Sequence, residues 1–280
     1  MSYHSTLSPY RRKKPVSPSS SVTWAVAIAV LVLYSSWVSG CGSSTAYDPA
    51  TEYANACADA SNATYAKISR ELTAIVNDNS NLQWENGVVG SRVLVVAWVS
   101  AAIASHYTEG QEVEFKYDLW VTVVPELRNY FGSAAPSPLR IAQLLGLPPV
   151  DATRKEYLLE LWVSPENLLR PCPDPEVTDH ECQLVFHGDQ FWVYDNTQKV
   201  YADVGATGFK AYKDWFTNRK DVIYTSASPY PWTRLGYTYD WGNPASHCGL
   251  SEYIVHGYKE DGSGIPVKVK AVTRTADYFN

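Results

Sequence analysis

A strict alternation of apolar and polar residues over residues 112–123 constrains the fold of this chain more than any other sequence feature. The apolar positions are Val113, Phe115, Tyr117, Leu119, Val121 and Val123, and the first polar positions between them are Glu112, Glu114, Lys116 and Asp118. A period of two residues places the two kinds of side chain on opposite faces of a β-strand. One face is then buried and the other solvated, which is typical of an antiparallel sheet.

Other segments carry related strand signals. The valine-rich run from Arg92 to Val99 fits a strand that is buried on both faces, although a buried helix continuing to Ala104 fits it as well. A loop at 107–111 could join this run to the alternating strand as a hairpin. The remaining predicted strands are 156–163, a hairpin of 182–186 with 191–194, and a terminal hairpin of 253–258 with 265–273.

Helical spacing of apolar residues predicts an N-terminal amphipathic helix from Glu52 to about Asn77. Pro125 and Pro138 can each begin a short connecting helix, because proline is favoured in the first turn. A further helix is predicted over about 208–219. The sum is one globular α+β domain over residues 52–280, built on a largely antiparallel, curved sheet.

The first forty residues differ in composition from the rest of the chain. They contain four basic residues and no acidic one; the basic residues are Arg11, Arg12, Lys13 and Lys14. The apolar run from Val22 to Tyr34 that follows them is shorter than the roughly 20 residues of a membrane-spanning helix. A basic segment followed by a short apolar segment is typical of a secretory signal peptide.

This segment ends in Val38-Ser39-Gly40-Cys41, which resembles the lipobox of bacterial lipoprotein signal peptides. The resemblance covers residues 1–41 only. It implies that residues 1–40 are removed, that Cys41 becomes a lipidated N-terminus, and that residues 41–51 form a tether. It also implies export and attachment to the cell membrane or, since glycine follows Cys41, the outer membrane. An ordinary cleaved signal peptide or an uncleaved anchor is the alternative.

The charge of the chain argues against nucleic acid as a partner. The formal net charge is -6, and removal of four positive charges with residues 1–40 makes it -10. An acidic body lacks the basic surface that nucleic acids require, and anionic lipid head groups would repel it. We therefore expect membrane contact through the N-terminal lipid alone.

Four cysteines remain after Cys41, and an even number in an exported chain predicts disulfides. Four cysteines allow three pairings. We favour Cys172 with Cys182, which closes a short loop, and hence Cys57 with Cys248. Buried free thiols are the alternative.

The segment 230–242 is unusually rich in aromatic residues and is the candidate ligand-binding site. Its candidate contacts are Trp232, Arg234, Tyr237, Tyr239, Asp240 and Trp241. Flat rings can stack on sugars or peptides, with the charged side chains supplying polar contacts. Alternatively, Tyr237, Tyr239 and Trp241 have the spacing of one strand face and could pack in the core.

Catalytic candidates are few. Glu252, Asp240 and His247 are the weak candidates, and a Cys248–His247 pair is conceivable only if Cys248 is reduced. The loop between Cys172 and Cys182 holds four carboxylates that could coordinate calcium but lacks the pattern of an EF-hand, which favours a solvated acidic loop. The motifs of zinc proteases, serine hydrolases and nucleotide-binding proteins are absent, so we expect no metal and no cofactor.

These features predict a lipid-anchored cell-envelope protein acting as a non-catalytic binding or assembly module for a protein or glycan. The alternative is an envelope hydrolase that cleaves glycan or peptide through a carboxylate pair near segment 230–242.

The lipobox resemblance generates a direct test. We expect Cys41→Ala to release the protein from the membrane fraction, because the lipid can attach only to that cysteine. Fractionation followed by immunoblotting measures the change, with Cys57→Ala as the matched control that stays membrane-bound. Retention of Cys41→Ala in the membrane with an intact N-terminus would show that the apolar segment itself is the anchor.

Overall fold

The computed structural model describes residues 47–132, 134–186, 192–195, 200–203, 205–257 and 263–279. The predicted signal peptide, Cys41 and most of the predicted tether lie outside the described residues. The described helices are α1 (Pro49–Ala60), α2 (Ala101–Ala104), α3 (Val124–Phe131), α4 (Pro138–Leu144), α5 (Gly205–Thr225) and α6 (Thr275–Tyr278). The described strands are β1 (Val93–Val99), β2 (Glu112–Phe115), β3 (Leu119–Val123), β4 (Tyr157–Val163), β5 (Leu168–Leu169), β6 (Trp192–Asp195), β7 (Val200–Asp203), β8 (Tyr237–Tyr239), β9 (Cys248–Ser251), β10 (Tyr253–Val255) and β11 (Ile265–Arg274).

Seven of the strands form one antiparallel sheet in the order β2-β11-β4-β1-β3-β10-β5. Strands β6 and β7 form a separate ribbon, and so do β8 and β9. The predicted α+β class with a largely antiparallel sheet is confirmed. No helix among the described residues is long and apolar enough to cross a bilayer.

The sheet is curved because a short link joins two strands that are far apart in its order. Strand β2 is first and β3 is fifth, so four strand spacings of about 4.8 Å separate them along the sheet, or about 19 Å. The chain from Phe115 to Leu119 spans at most about 14 Å. The sheet must therefore bend to bring β2 and β3 together, and the bulge in β11 between Val269 and Ala271 contributes to the bend.

The curved sheet has a hydrophobic cluster on each face. The odd-numbered residues of β1 lie in the inner cluster with Phe115 of β2 and Val255 of β10. The even-numbered residues of β1 lie in the outer cluster with Leu127 of α3 and Ile141 of α4. All seven residues of β1 are consequently buried, as the sequence predicts.

The alternating segment 112–123 forms two strands instead of the predicted single one. It breaks at residues 116–118, where Tyr117 is 55% exposed despite its apolar-face position. Strand β2 pairs with β11, whereas β3 pairs with β1 and β10. The predicted hairpin across residues 107–111 is therefore wrong: β1 pairs with β3, and α2 and β2 lie between these two strands in the chain.

The predicted helix over 52–77 is wrong in its second half. Helix α1 begins at Pro49, within the predicted tether, where the Asp48 side chain accepts hydrogen bonds from the first turn. It ends at Ala60. Beyond it, the backbone N–H of Leu72 donates to His180 and that of Ile75 donates to Val177, so this stretch is held by long-range pairing.

Two predicted hairpins are also wrong. Residues 182–186 form no strand, and β6 pairs with β7 instead. The predicted turn at 187–190 lies outside the described residues. Strands β10 and β11 lie in different parts of the sheet, because β10 pairs with β3 and β5 while β11 pairs with β2 and β4.

The cysteines follow the prediction in part. Cys172 and Cys182 form a disulfide, whereas Cys57 and Cys248 are free thiols, so the second predicted pairing is wrong. Cys57 lies on α1, and its Sγ lies 3.6 Å from the carbonyl oxygen of Pro229. Cys248 begins β9 near Ser69, and the two thiols therefore have different surroundings.

Thiol chemistry can check this arrangement. We expect a maleimide to label Cys248 in the folded protein and Cys57 only after unfolding, because burial raises the pKa of Cys57 to about 11. Non-reducing peptide mapping should find the Cys172 and Cys182 peptides joined. A joined pair of Cys57 and Cys248 peptides would contradict the structure.

Candidate ligand-binding cavity

A cavity of about 450 Å³ lies between the outer face of the sheet and the C-terminal half of α5. Its walls are mainly aliphatic and aromatic side chains. They include Val96, Trp98, Trp120, Leu147, Ile223 and Trp232. This volume falls within the range of about 300–1,000 Å³ that is usual for small-molecule sites.

The strand alternation explains the sheet wall of the cavity. Val96 and Trp98 occupy even positions of β1, and Trp120 and Thr122 occupy even positions of β3. Side chains at alternate positions share a face, so these four residues face outward together. Helix α5 covers part of this face, where Trp120 packs with the aromatic side chains of the helix and with Trp232.

Glu252 is the most unusual residue lining the cavity. It lies between β9 and β10, and its backbone N–H donates to the carbonyl oxygen of Gly236 at 2.9 Å. Its side-chain Oε2 is buried with no hydrogen-bond partner among the described residues. Burial raises the pKa of Glu252 well above its usual range, which favours the neutral, protonated form of the carboxyl group.

Asp118 lines the cavity and is fully engaged by its neighbours. It accepts hydrogen bonds from Trp215 Nε1 at 2.8 Å and Arg219 Nη2 at 3.0 Å, both on α5. His256 Nδ1 lies 3.0 Å from its other oxygen, which also accepts from the backbone of Gly257. Burial acts to raise the pKa of Asp118, but the hydrogen bonds from His256 and Trp215 outweigh it and lower that pKa well below the usual range.

Asp151 and Lys155 form the second charged pair in the lining. The Lys155 Nζ donates to the backbone oxygen of Trp98 at 3.0 Å and lies 3.8 Å from an Asp151 carboxylate oxygen. Burial lowers the pKa of Lys155, while the Asp151 charge opposes the shift. The lining thus contains two carboxylates with basic partners and one carboxyl, Glu252, without one.

The residues of the aromatic segment that was predicted to bind a ligand lie in different surroundings. Trp232 and Tyr239 line the cavity, together with Tyr230. Tyr237 and Trp241 are buried elsewhere, and the Arg234 guanidinium bonds to Ser61 and Tyr224. Trp232, Tyr237, Tyr239 and Trp241 are each at most 6% exposed. The segment is therefore mostly core, as the alternative interpretation holds, and forms no open aromatic platform.

Asp240 is a structural residue in this arrangement. It is fully buried and receives two hydrogen bonds from Arg140, at 2.8 and 2.5 Å, and one from Tyr130 at 3.1 Å. Its backbone pairs with His247 at one end of the β8–β9 ribbon, whereas Glu252 pairs with Gly236 at the other end. Four residues of strand place the two acids about 13 Å apart along the ribbon. They are not a catalytic pair.

His247 and Cys248 do not form a nucleophile pair either. The His247 ring stacks on Tyr239, with 4.7 Å between the ring centroids. Desolvation, assisted by the charges of Glu126 and Glu71, raises the pKa of Cys248 even though a hydrogen bond with Ser69 opposes the shift. A raised pKa is the opposite of what a thiolate nucleophile requires.

The acidic loop between Cys172 and Cys182 folds around Arg170. This arginine is fully buried, and its Nη1 lies 2.5 Å from Asp179 Oδ1. Glu176 accepts hydrogen bonds from the backbone and hydroxyl of Thr178. Burial and contact with Asp179 raise the pKa of Glu176 to about 7. Glu181 in turn lies 3.6 Å from Arg70, so at least three of the four loop carboxylates have partners within the protein.

Sequence reasoning missed Asp118, Asp151, Lys155 and the lining residues of α5. The sequence offered one indication of the site, at Asp118. This residue is the last acidic one in the alternating segment and lies where the strand breaks. The other lining residues come together only through long-range packing of α5 and the sheet.

The lone carboxyl of Glu252 generates a stability prediction. The pKa of Glu252 is raised in the folded state, so the protonated side chain makes its full contribution to the unfolding free energy below the ordinary carboxyl pKa of about 4.5. This contribution is lost as the pH rises through the raised folded-state pKa. We expect Glu252→Gln to exceed wild type in unfolding free energy at neutral pH by on the order of 1 kcal/mol, with a smaller pH dependence. Urea unfolding at several pH values measures both effects. The exposed Glu114→Gln is the control, and parallel pH profiles for wild type and Glu252→Gln would show that Glu252 is not desolvated.

Comparison of the chain with protein-family models, curated proteins and solved structures gives no match. The function must therefore be inferred from the chemistry of the cavity itself. Its distinguishing features are apolar walls, two neutralised ion pairs and one buried carboxyl group without a partner.

Proposed function

We propose that this protein is an exported, lipid-anchored binding protein whose folded body holds a small, mainly apolar molecule in the cavity. The cavity with its unpartnered Glu252 carboxyl is the observation that carries the proposal. A buried polar group without a partner costs about 1–3 kcal/mol, and a ligand that bonds to it recovers that cost. The export and the anchor at Cys41 rest on the lipobox resemblance, and the disulfide is compatible with export.

The cavity supports a small apolar ligand better than the glycan or protein partner expected from sequence. A glycan needs many free polar contacts, but the charged lining residues Asp118 and Arg219 already bond to each other, and Lys155 bonds to the Trp98 backbone. A protein partner needs an exposed surface, whereas the aromatic rings of segment 230–242 are largely buried. Apolar walls with few polar groups are typical of a small-molecule site.

A binding role is also favoured over glycan or peptide hydrolysis by the positions of the carboxyl groups. Asp118 and Glu252 both line the cavity, but the pairing of β3 with β10 separates them by four residues, or about 13 Å. Paired catalytic carboxyls lie about 5–9.5 Å apart. Asp118 is in addition held by Arg219 and Trp215, so it has no free role as a base or nucleophile.

Filling the cavity should abolish ligand binding. We expect Ile223→Trp to reduce binding of the neutral, environment-sensitive dye Nile red by about tenfold or more, since a larger ring occupies the lining. The control is Asn218→Trp, which adds the same ring at an exposed position of the same helix. Fluorescence titration measures both, and thermal unfolding confirms that each variant is folded.

The natural ligand can be sought with the same pair of variants. Protein purified from its own membranes is unfolded and extracted with organic solvent, and the extract is analysed by mass spectrometry. A molecule recovered from wild type and Asn218→Trp but not from Ile223→Trp would be the bound ligand. Equal dye binding and equal extracts from all three proteins would contradict the proposal.

A further inference from the structure

We propose that the ligand is an uncharged apolar molecule that presents a single oxygen acceptor, a hydroxyl or carbonyl group, to Glu252 and Trp232. This inference rests on the proposed function and specifies the chemical class of the ligand. It follows from three properties of the cavity: the polar atoms left without partners, the neighbours that Glu252 and Trp232 share, and the balance of charge in the lining.

The cavity lining includes two buried polar atoms that have no partner among the described residues. They are the Oε2 of Glu252 and the Nε1 of Trp232. The indole nitrogen can only donate a hydrogen bond, and a protonated carboxyl group can donate one as well. Two donors without acceptors are matched by an oxygen atom that accepts from both.

The strand pairing brings Glu252 and Trp232 to the same part of the cavity. Ile254 lies opposite Trp120 in the pairing of β10 with β3, so Glu252 is only two residues from that position. The Trp232 ring packs edge to face on Trp120, with 5.6 Å between the ring centroids. In addition, the Tyr224 hydroxyl donates to the Trp232 backbone oxygen, and the same hydroxyl lies within electrostatic range of the Glu252 side chain. Both unpartnered atoms therefore belong to residues that adjoin Trp120 and Tyr224.

The charge balance of the lining favours an uncharged ligand. Arg219 pairs with Asp118, and Lys155 pairs with Asp151. Neither basic residue is therefore available to neutralise a charged ligand. A ligand ammonium group would leave the Trp232 N–H unpaired, because neither group can accept a hydrogen bond. It would also require Glu252 to be ionised, and both charges would then lose their hydration. A ligand carboxylate would be desolvated without a free cation. A neutral oxygen has neither cost.

A matched series of ten-carbon probes tests the ligand class. Decanol, decylamine, decanoate and decane share one chain and differ in the group at its end. Their affinities are measured by displacement of Nile red from full-length Cys41→Ala protein, with its Ile223→Trp derivative as the background. We expect decanol to bind about tenfold or more tightly than each of the other three.

Two substitutions of Glu252 separate the hydrogen bond from the charge. Glu252→Gln keeps an uncharged donor, and we expect it to bind decanol within about threefold of the unsubstituted protein. Glu252→Met has a similar size without a donor, and we expect it to lose about tenfold for decanol and nothing for decane. Trp232→Phe keeps an aromatic ring, removes the N–H and should weaken decanol selectively.

The outcomes distinguish this inference from the proposed function. Tightest binding of decylamine, with loss in Glu252→Gln, would overturn the neutral class in favour of a cation. Tightest binding of decanoate would overturn it in favour of an anion. Equal binding of decane and decanol would contradict the proposed hydrogen bonds to a ligand oxygen. It would still support the apolar cavity as a binding site. Displacement that is unaffected by Ile223→Trp would contradict the binding site itself.

Discussion

The short link between β2 and β3 is the constraint on which the rest of the structure depends. Three residues, 116–118, connect the first strand of the sheet order to the fifth, and this is possible only if the sheet bends. Bending gives the sheet an enclosed inner cluster and an outer face of larger circumference. Helices α3, α4 and α5 cover that outer face, and the cavity lies where α5 and the aromatic segment approach it.

Several buried charged side chains in the described part of the chain are compensated by partners of opposite charge, whereas Glu252 is not. Asp240 has Arg140 and Tyr130, Asp118 has Arg219 and Trp215, and Arg170 has Asp179. Such pairing is the usual condition for an ionised group to tolerate desolvation, because an isolated buried charge costs several kcal/mol. The Oε2 of Glu252 is buried without any such partner. A buried carboxyl oxygen without a partner has a stability cost, and such costs are typical of functional sites.

The sequence predicts the fold where structure depends on local pattern. Strands β1 and β4 and helices α3 and α4 form as predicted, because each is read from a periodicity or a proline in its own residues. The alternation of 112–123 continues through Tyr117 and therefore conceals a break that depends on the sheet as a whole. The site shows the same limit: Glu252 and Trp232 are candidates by sequence, but only the packing of α5 shows that they share a cavity.

The hydrogen bonds of Asp118 have a consequence for how the proposed ligand would enter and leave the cavity. Its carboxylate joins the β2–β3 link to Trp215 and Arg219 of α5 and to the chain after β10. Movement of α5 away from the sheet at this end must break two of those hydrogen bonds together, while the cavity walls themselves stay unchanged. For the proposed ligand, we therefore expect Asp118 to affect the rate of release and Glu252 to affect the affinity.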